Sequence, residues 1–161
     1  MRLKFATALL ALVMLIGCNK TSQNPDPITD GISCVVTAQM NGSTQTLQLS
    51  RSGETFDSVF LHSDGSKGLG LTVSPSGCFL DVYKVKKQID IEYVSHSLPA
   101  LLYVALNHNF IDDVYSDGAY RCTDRCGEFE VYLGEDGVIS KIIFLKYDYI
   151  CDFDYKTARF N

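Results

Sequence analysis

The chain has 161 residues, with 14 lysines and arginines against 19 aspartates and glutamates, a net charge of −5. That length suits one domain with a real core and not two comfortable ones. The acidic balance excludes a surface of clustered Lys and Arg for phosphate, so neither nucleic acid nor a polybasic membrane contact is expected.

Arg2 and Lys4 precede a largely apolar run over residues 5–16, and Gly17 follows it. A positive start, an apolar middle and a small residue at the cut read as a secretory signal peptide over residues 1–17, too short to span a bilayer. The next residue is cysteine, and Leu15-Ile16-Gly17-Cys18 resembles the lipobox of bacterial lipoprotein precursors. The resemblance implies acylation of the Cys18 thiol with palmitate-type chains and a mature protein that begins there. The lipid bilayer is then a partner through acylated Cys18, with no spanning segment. Asn19, by the same likeness, favours the outer membrane over the inner. Removal of residues 1–17 takes away two basic residues and no acid, leaving 144 residues with a net charge of −7.

Residues 18–31 contain two prolines and no apolar period, which predicts a flexible tether before a single β-rich domain over 32–160. Asp26 and Asp30 lack the ligand spacing of a calcium loop. The domain opens with Asn41-Gly42 between two strand-like runs, and Asn-Gly is the preferred two-residue hairpin turn because both positions need φ > 0. Counting outward pairs Met40 with Ser43, Ala38 with Gln45, Val36 with Leu47 and Cys34 with Leu49, giving one apolar and one polar face. Strands are also predicted over 55–61, 69–73, 78–85 and 89–94, separated by turns rich in Gly, Ser and Asp. The basic cluster Lys84, Lys86 and Lys87 reads as a solvated strand end. The glycines of 64–70 lack the lysine-serine pair and helix of a phosphate loop.

Residues 97–108 break the pattern. Leu98, Leu101, Leu102, Ala105 and Leu106 recur at spacings of three and four, Ser97 can cap, and Pro99 falls in the first turn, which predicts a helix near 98–108. Residues 128–133 and 138–147 then flank Gly-Glu-Asp-Gly, a second hairpin, in which Phe129, Val131 and Leu133 meet Ile142 and Phe144. From Ile143 to Tyr155 the odd positions stay apolar, which predicts one long amphipathic strand. The expected class is therefore α+β and β-dominated: antiparallel hairpins forming a sheet or sandwich, with one short helix.

No catalytic set is legible. With Cys18 acylated, five cysteines remain, and secreted cysteines usually pair. A two-residue turn at Asp136-Gly137 puts Glu130 opposite Ile143 and Cys122 opposite Cys151, which predicts a disulfide there. A bulge at Gly127 would give the partner to Cys126 instead. Cys34 and Cys78 form the natural second pair. His62, His96 and His108 read as surface histidines, and Asp112, Asp113, Asp148 and Asp154 as an acidic protein's ordinary carboxylates. No metal or other cofactor is expected, because Cys and His do not recur in close pairs. Tyr115, Tyr120, Tyr132 and Tyr155 are the aromatics to inspect for a binding surface.

From Ser76 the order Ser-Gly-Cys-Phe, a strand through Tyr83, Leu98-Pro99 opening a helix, Asn109-Phe110, Asp124-Arg125 and a hairpin to Leu145 resembles the layout of small bacterial emfourin-like inhibitor domains. The likeness spans about half the mature chain, and the cysteines and first hairpin depart from it. It implies a protease as partner and transfers no inhibitory residue. The function expected is a membrane-anchored envelope lipoprotein with a non-catalytic binding or structural domain. An emfourin-like inhibitor and an envelope hydrolase are the alternatives.

Overall fold

A computed structural model describes residues 24–83 and 85–156. The expected signal peptide, Cys18, the first part of the expected tether, Lys84 and residues 157–161 lie outside the described residues. Among the described residues the fold is β-dominated: eleven antiparallel strands in one sheet, with one α-helix. The strands are β1 (Ile32–Met40), β2 (Ser43–Ser52), β3 (Thr55–Leu61), β4 (Lys67–Ser74), β5 (Gly77–Val82), β6 (Val85–Ile89), β7 (Val114–Ser116), β8 (Ala119–Asp124), β9 (Gly127–Leu133), β10 (Ile139–Phe144) and β11 (Tyr149–Asp154). Helix α1 (Leu98–Leu106) lies between β6 and β7 in the chain.

The sheet order is β6-β5-β4-β3-β2-β1-β11-β10-β9-β8-β7, so each half is a meander and the β1–β11 pairing joins them. The choice between sheet and sandwich resolves to one sheet. That sheet is strongly curled. Cys78 on β5 and Arg125, just after β8, line one cleft although eight strand spacings separate their strands. Laid flat, eight spacings of about 4.8 Å would hold them roughly 38 Å apart. The inward face wraps α1, where Leu98, Pro99, Ala100, Leu101, Leu102, Ala105 and Leu106 are all buried. Burial on so many sides suits a helix enclosed by a curved sheet better than one lying on a flat one.

The first hairpin has the register read from Asn41-Gly42, with Met40, Ala38, Val36 and Cys34 opposite Ser43, Gln45, Leu47 and Leu49. Both turn residues take positive φ, at 48° and 78°. Further along, four expectations change. The strand expected over 78–85 ends at Val82, because Tyr83 takes φ 49° and the chain reverses into β6. The strand expected over 89–94 is a short 3-10 turn, Ile91–Val94. Asp90 Oδ1 accepts the Glu92 N–H at 3.0 Å there, a local bond that competes with sheet pairing. Ser97 stands at the N-cap of α1, but its hydroxyl makes no capping bond.

The long strand expected from Ile143 is two strands. Residues Leu145–Tyr147 form a 3-10 turn, Asp148 takes φ 53°, and β11 folds back on β10 with Phe144 opposite Tyr149. Ile142 and Phe144 are buried before the turn, Tyr149 and Cys151 after it, while Leu145 is exposed. The period-2 pattern thus changes parity at a turn that apolar residues conceal.

The expected tether is docked from Pro25 onward. Tyr120 Oη donates to the Pro25 carbonyl at 2.7 Å, Ile28 bridges Val138, and the Gly53 N–H donates to Asp30 Oδ1 at 2.6 Å. Arg51 Nη1 donates to the Thr29 carbonyl at 2.9 Å and also to the Leu106 carbonyl, the last of α1. A cation at a helix C-terminus meets its unpaired carbonyls and the negative end of its dipole, worth about 0.3–1 kcal/mol when exposed and more when half-buried.

Candidate functional site

The densest gathering of chemically active side chains lies where α1 ends. His108 follows the helix with a side chain only 10% exposed. Its ring is met edge-on by Phe110 and Phe129, at centroid distances of 5.1 and 5.3 Å. Both nitrogens face carboxylates: Nδ1 lies 2.8 Å from Asp124 Oδ2, and Nε2 lies 2.7 Å from Asp113 Oδ2. Burial alone would raise the Asp124 pKa. The hydrogen bonds from His108 and the Arg125 N–H outweigh it, with help from the His108 and Arg125 charges, and hold this carboxyl below the ordinary range. An ionised carboxylate only accepts, so Nδ1 carries the proton of that bond.

Cys122, on the inward face of β8, completes the group. One ligating atom each from His108, Asp113 and Cys122 lies within 4.8 Å of the others. Desolvation pushes the Cys122 thiol well up, reinforced by the Asp113 charge and its hydrogen bond, then by Cys126 and Asp124. Without a cation beside it the thiol is protonated, which disfavours nucleophilic attack.

Asp124 links this cluster to an open cleft. Its other oxygen, Oδ1, accepts the backbone N–H of Arg125 at 2.6 Å, and Arg125 stands on the cleft wall. The cleft holds about 960 Å³ between β4–β6, the Asp90–Tyr93 turn and α1. Ile89, Ile91 and Tyr103 make an apolar wall, and Lys87 and Arg125 bring positive charge against the one carboxylate of the lining, Asp90. Tyr93 is 87% exposed, the most open of the large apolar and aromatic side chains among the described residues. The thiol on this wall, Cys78, is raised by desolvation first and by the Asp90 charge second, so it too is a poor nucleophile. A second exposed apolar surface lies at the other end of the same strands, where Leu69, Val82, Tyr83 and Val85 gather on β4, β5, the turn and β6.

The paired cysteines expected from the sequence are not paired. Cys34, Cys78, Cys122, Cys126 and Cys151 are all buried free thiols. The register that puts Glu130 opposite Ile143 is present, but β9 starts at Gly127 and β10 stops at Phe144. Both chains turn away before Cys122 and Cys151 can face each other. Instead Cys122 lies opposite Phe129, and Cys151 opposite Ala38 and Ile142. Their strands are three spacings apart, roughly 14 Å along the sheet, beyond a disulfide's reach of about 7 Å between Cα atoms. Cys34 and Cys78 are on β1 and β5, four spacings apart.

The four tyrosines singled out from sequence serve packing. Tyr120 is buried, and its ring meets that of Tyr115 at 4.8 Å. Tyr132 donates to Glu130 at 2.8 Å, and Tyr155 donates to the Ile139 carbonyl at 2.8 Å. His62 and His96 are exposed as expected, with His96 Nδ1 2.8 Å from Tyr147 Oη. His108 is the correction. Its neighbours come from the loop after α1 and from β8, 5 and 16 residues away. A helix period ending at Leu106 carries no sign of them. Strand β8 did have a signal: Asp117-Gly118 is a two-residue hairpin turn that sets Ser116 opposite Ala119 and aims Tyr120 and Cys122 inward. No family model matches this chain, and no curated protein matches it.

Proposed function

We propose that the chain is a bacterial envelope lipoprotein, held at the outer membrane through acylated Cys18, whose domain is a non-catalytic binding module. The cleft carries this reading. Its wall combines the open Tyr93 ring, the aliphatic Ile89 and Ile91, and the cations Lys87 and Arg125. That is the chemistry of a site for an anionic group attached to an apolar segment. Tyrosine suits such a role because it offers contact area and a polar tip while only two torsions must be fixed. The thiol on the wall is held protonated, which favours binding over covalent catalysis. The anchor rests on residues 1–18, and a lipid-held domain is displayed where it can meet an envelope partner.

Two measurements test this reading. A photoreactive residue at position 93, in cells, is expected to give a discrete adduct identifiable by mass spectrometry. The same residue at Ile111, exposed and outside the cleft, is expected to give none. Equal labelling at both positions would sink the cleft as a binding site, and turnover of a peptide, glycan or ester abolished by one substitution would overturn the non-catalytic part. Separately, Cys18→Ser is expected to stop maturation or to move the protein from the membrane to the soluble fraction. Normal processing with full membrane retention would refute the anchor.

A further inference from the structure

We propose that His108, Asp113 and Cys122 form a Zn²⁺ site with three protein ligands and one open position. Nothing in this inference depends on the cleft or on the lipid anchor. The donor set is mixed: an imidazole nitrogen, a carboxylate oxygen and a thiolate sulfur, all three of which zinc accepts. The three donor atoms already lie within 4.8 Å of one another. Zinc bound at about 2.0 Å to nitrogen and oxygen in tetrahedral geometry would set those two atoms about 3.3 Å apart. Nε2 and Oδ2 stand 2.7 Å apart. The site therefore opens by roughly half an ångström, within reach of a side-chain adjustment by Asp113 in the loop before β7.

Asp124 supplies the independent feature. It accepts the Nδ1–H of His108 at 2.8 Å and leaves Nε2 facing Asp113. A carboxylate on the far nitrogen of a metal-binding histidine fixes its tautomer and raises its basicity. Phe110 and Phe129 hold the ring edge-to-face on its remaining sides. In this arrangement the imidazole is positioned before any ion arrives. On binding, the Cys122 thiol proton and any proton on Nε2 leave to solvent, and the sulfur and nitrogen lone pairs go to the ion. Three protein ligands leave one tetrahedral position for water or an incoming donor.

Cobalt is the direct probe. The full chain, in detergent and stripped with chelator, is expected to take up one equivalent of Co²⁺ with a thiolate-to-metal charge-transfer absorption, which Zn²⁺ then displaces. Asp124→Asn should keep that spectrum and weaken affinity about 10- to 100-fold, since it alters only the group behind the histidine. Cys122→Ser should lose the charge-transfer band. Absence of uptake by the unmodified chain, uptake without a thiolate band, or a band that survives Cys122→Ser would each overturn the site. The first two readouts use the unmodified chain, so they stand even where a serine in this buried position prevents folding.

Discussion

Phe129→Ala is expected to destabilise the domain by about 3–5 kcal/mol, the range for deleting a buried aromatic ring. The ring is 1% exposed. It sits where β8, β9 and β10 meet, opposite Cys122 on one side and Phe144 on the other. Its centroid lies 5.9 Å from that of Phe144 and 5.3 Å from that of His108. Truncation removes the transfer free energy of the ring and leaves a cavity that a sheet pinned by hydrogen bonds on both sides cannot close. For a domain of this size the loss lowers the melting temperature by roughly 10–20 °C. Phe129→Leu keeps much of the volume and should cost less. A loss below about 1 kcal/mol for Phe129→Ala, measured by denaturant unfolding, would contradict the packing described.

A steep alkaline loss of stability is the second large effect. Desolvation raises the Cys34 thiol to about 12, with the Asp154 charge adding to it, and raises Cys151 to about 12, with the Asp152 charge adding. Cys126 rises to about 11, again chiefly by burial and then by the Asp124 charge. In the unfolded chain these thiols ionise near 9, so above that pH the unfolded state binds fewer protons than the folded one. Stability is then fully present below about pH 9 and falls as pH rises toward about 12. Each such thiol contributes a slope of about 1.4 kcal/mol per pH unit across its window. Cys34→Ala should flatten the measured dependence by one proton over that range, whatever it costs at neutral pH. An unchanged slope between pH 9 and 11 would show that Cys34 does not ionise on unfolding.

The thiols matter because they change what kind of domain this is. A small secreted domain stapled by disulfides relies on chain constraint, whereas here five buried sulfurs fill core positions. The curled sheet and its enclosed helix supply the burial that disulfides would otherwise supplement. Four of these sulfurs, those of Cys34, Cys78, Cys122 and Cys151, lie on strands and belong to the same apolar cluster as α1.

The sequence by itself determined whatever depends on neighbours in the chain. Asn41-Gly42 set the first hairpin residue by residue, because a two-residue turn with positive φ leaves one register. The helix over Leu98–Leu106 followed from its leucine spacing, and the facing of Phe129 and Val131 with Phe144 and Ile142 from the second hairpin. Local reading failed where local signals conflict. Apolar residues at the Leu145–Tyr147 turn hid a reversal, and Asp90 diverted a strand-like run into a 3-10 turn. The tertiary structure alone decided the rest. Curling an eleven-stranded sheet brought Arg125 to the β4–β6 wall, and the β8 register set Cys122 beside His108 and Asp113. The first of these meetings depends on the accumulated twist of eight strand pairings, roughly half a turn at about 20–25° per step, which no short window of sequence encodes.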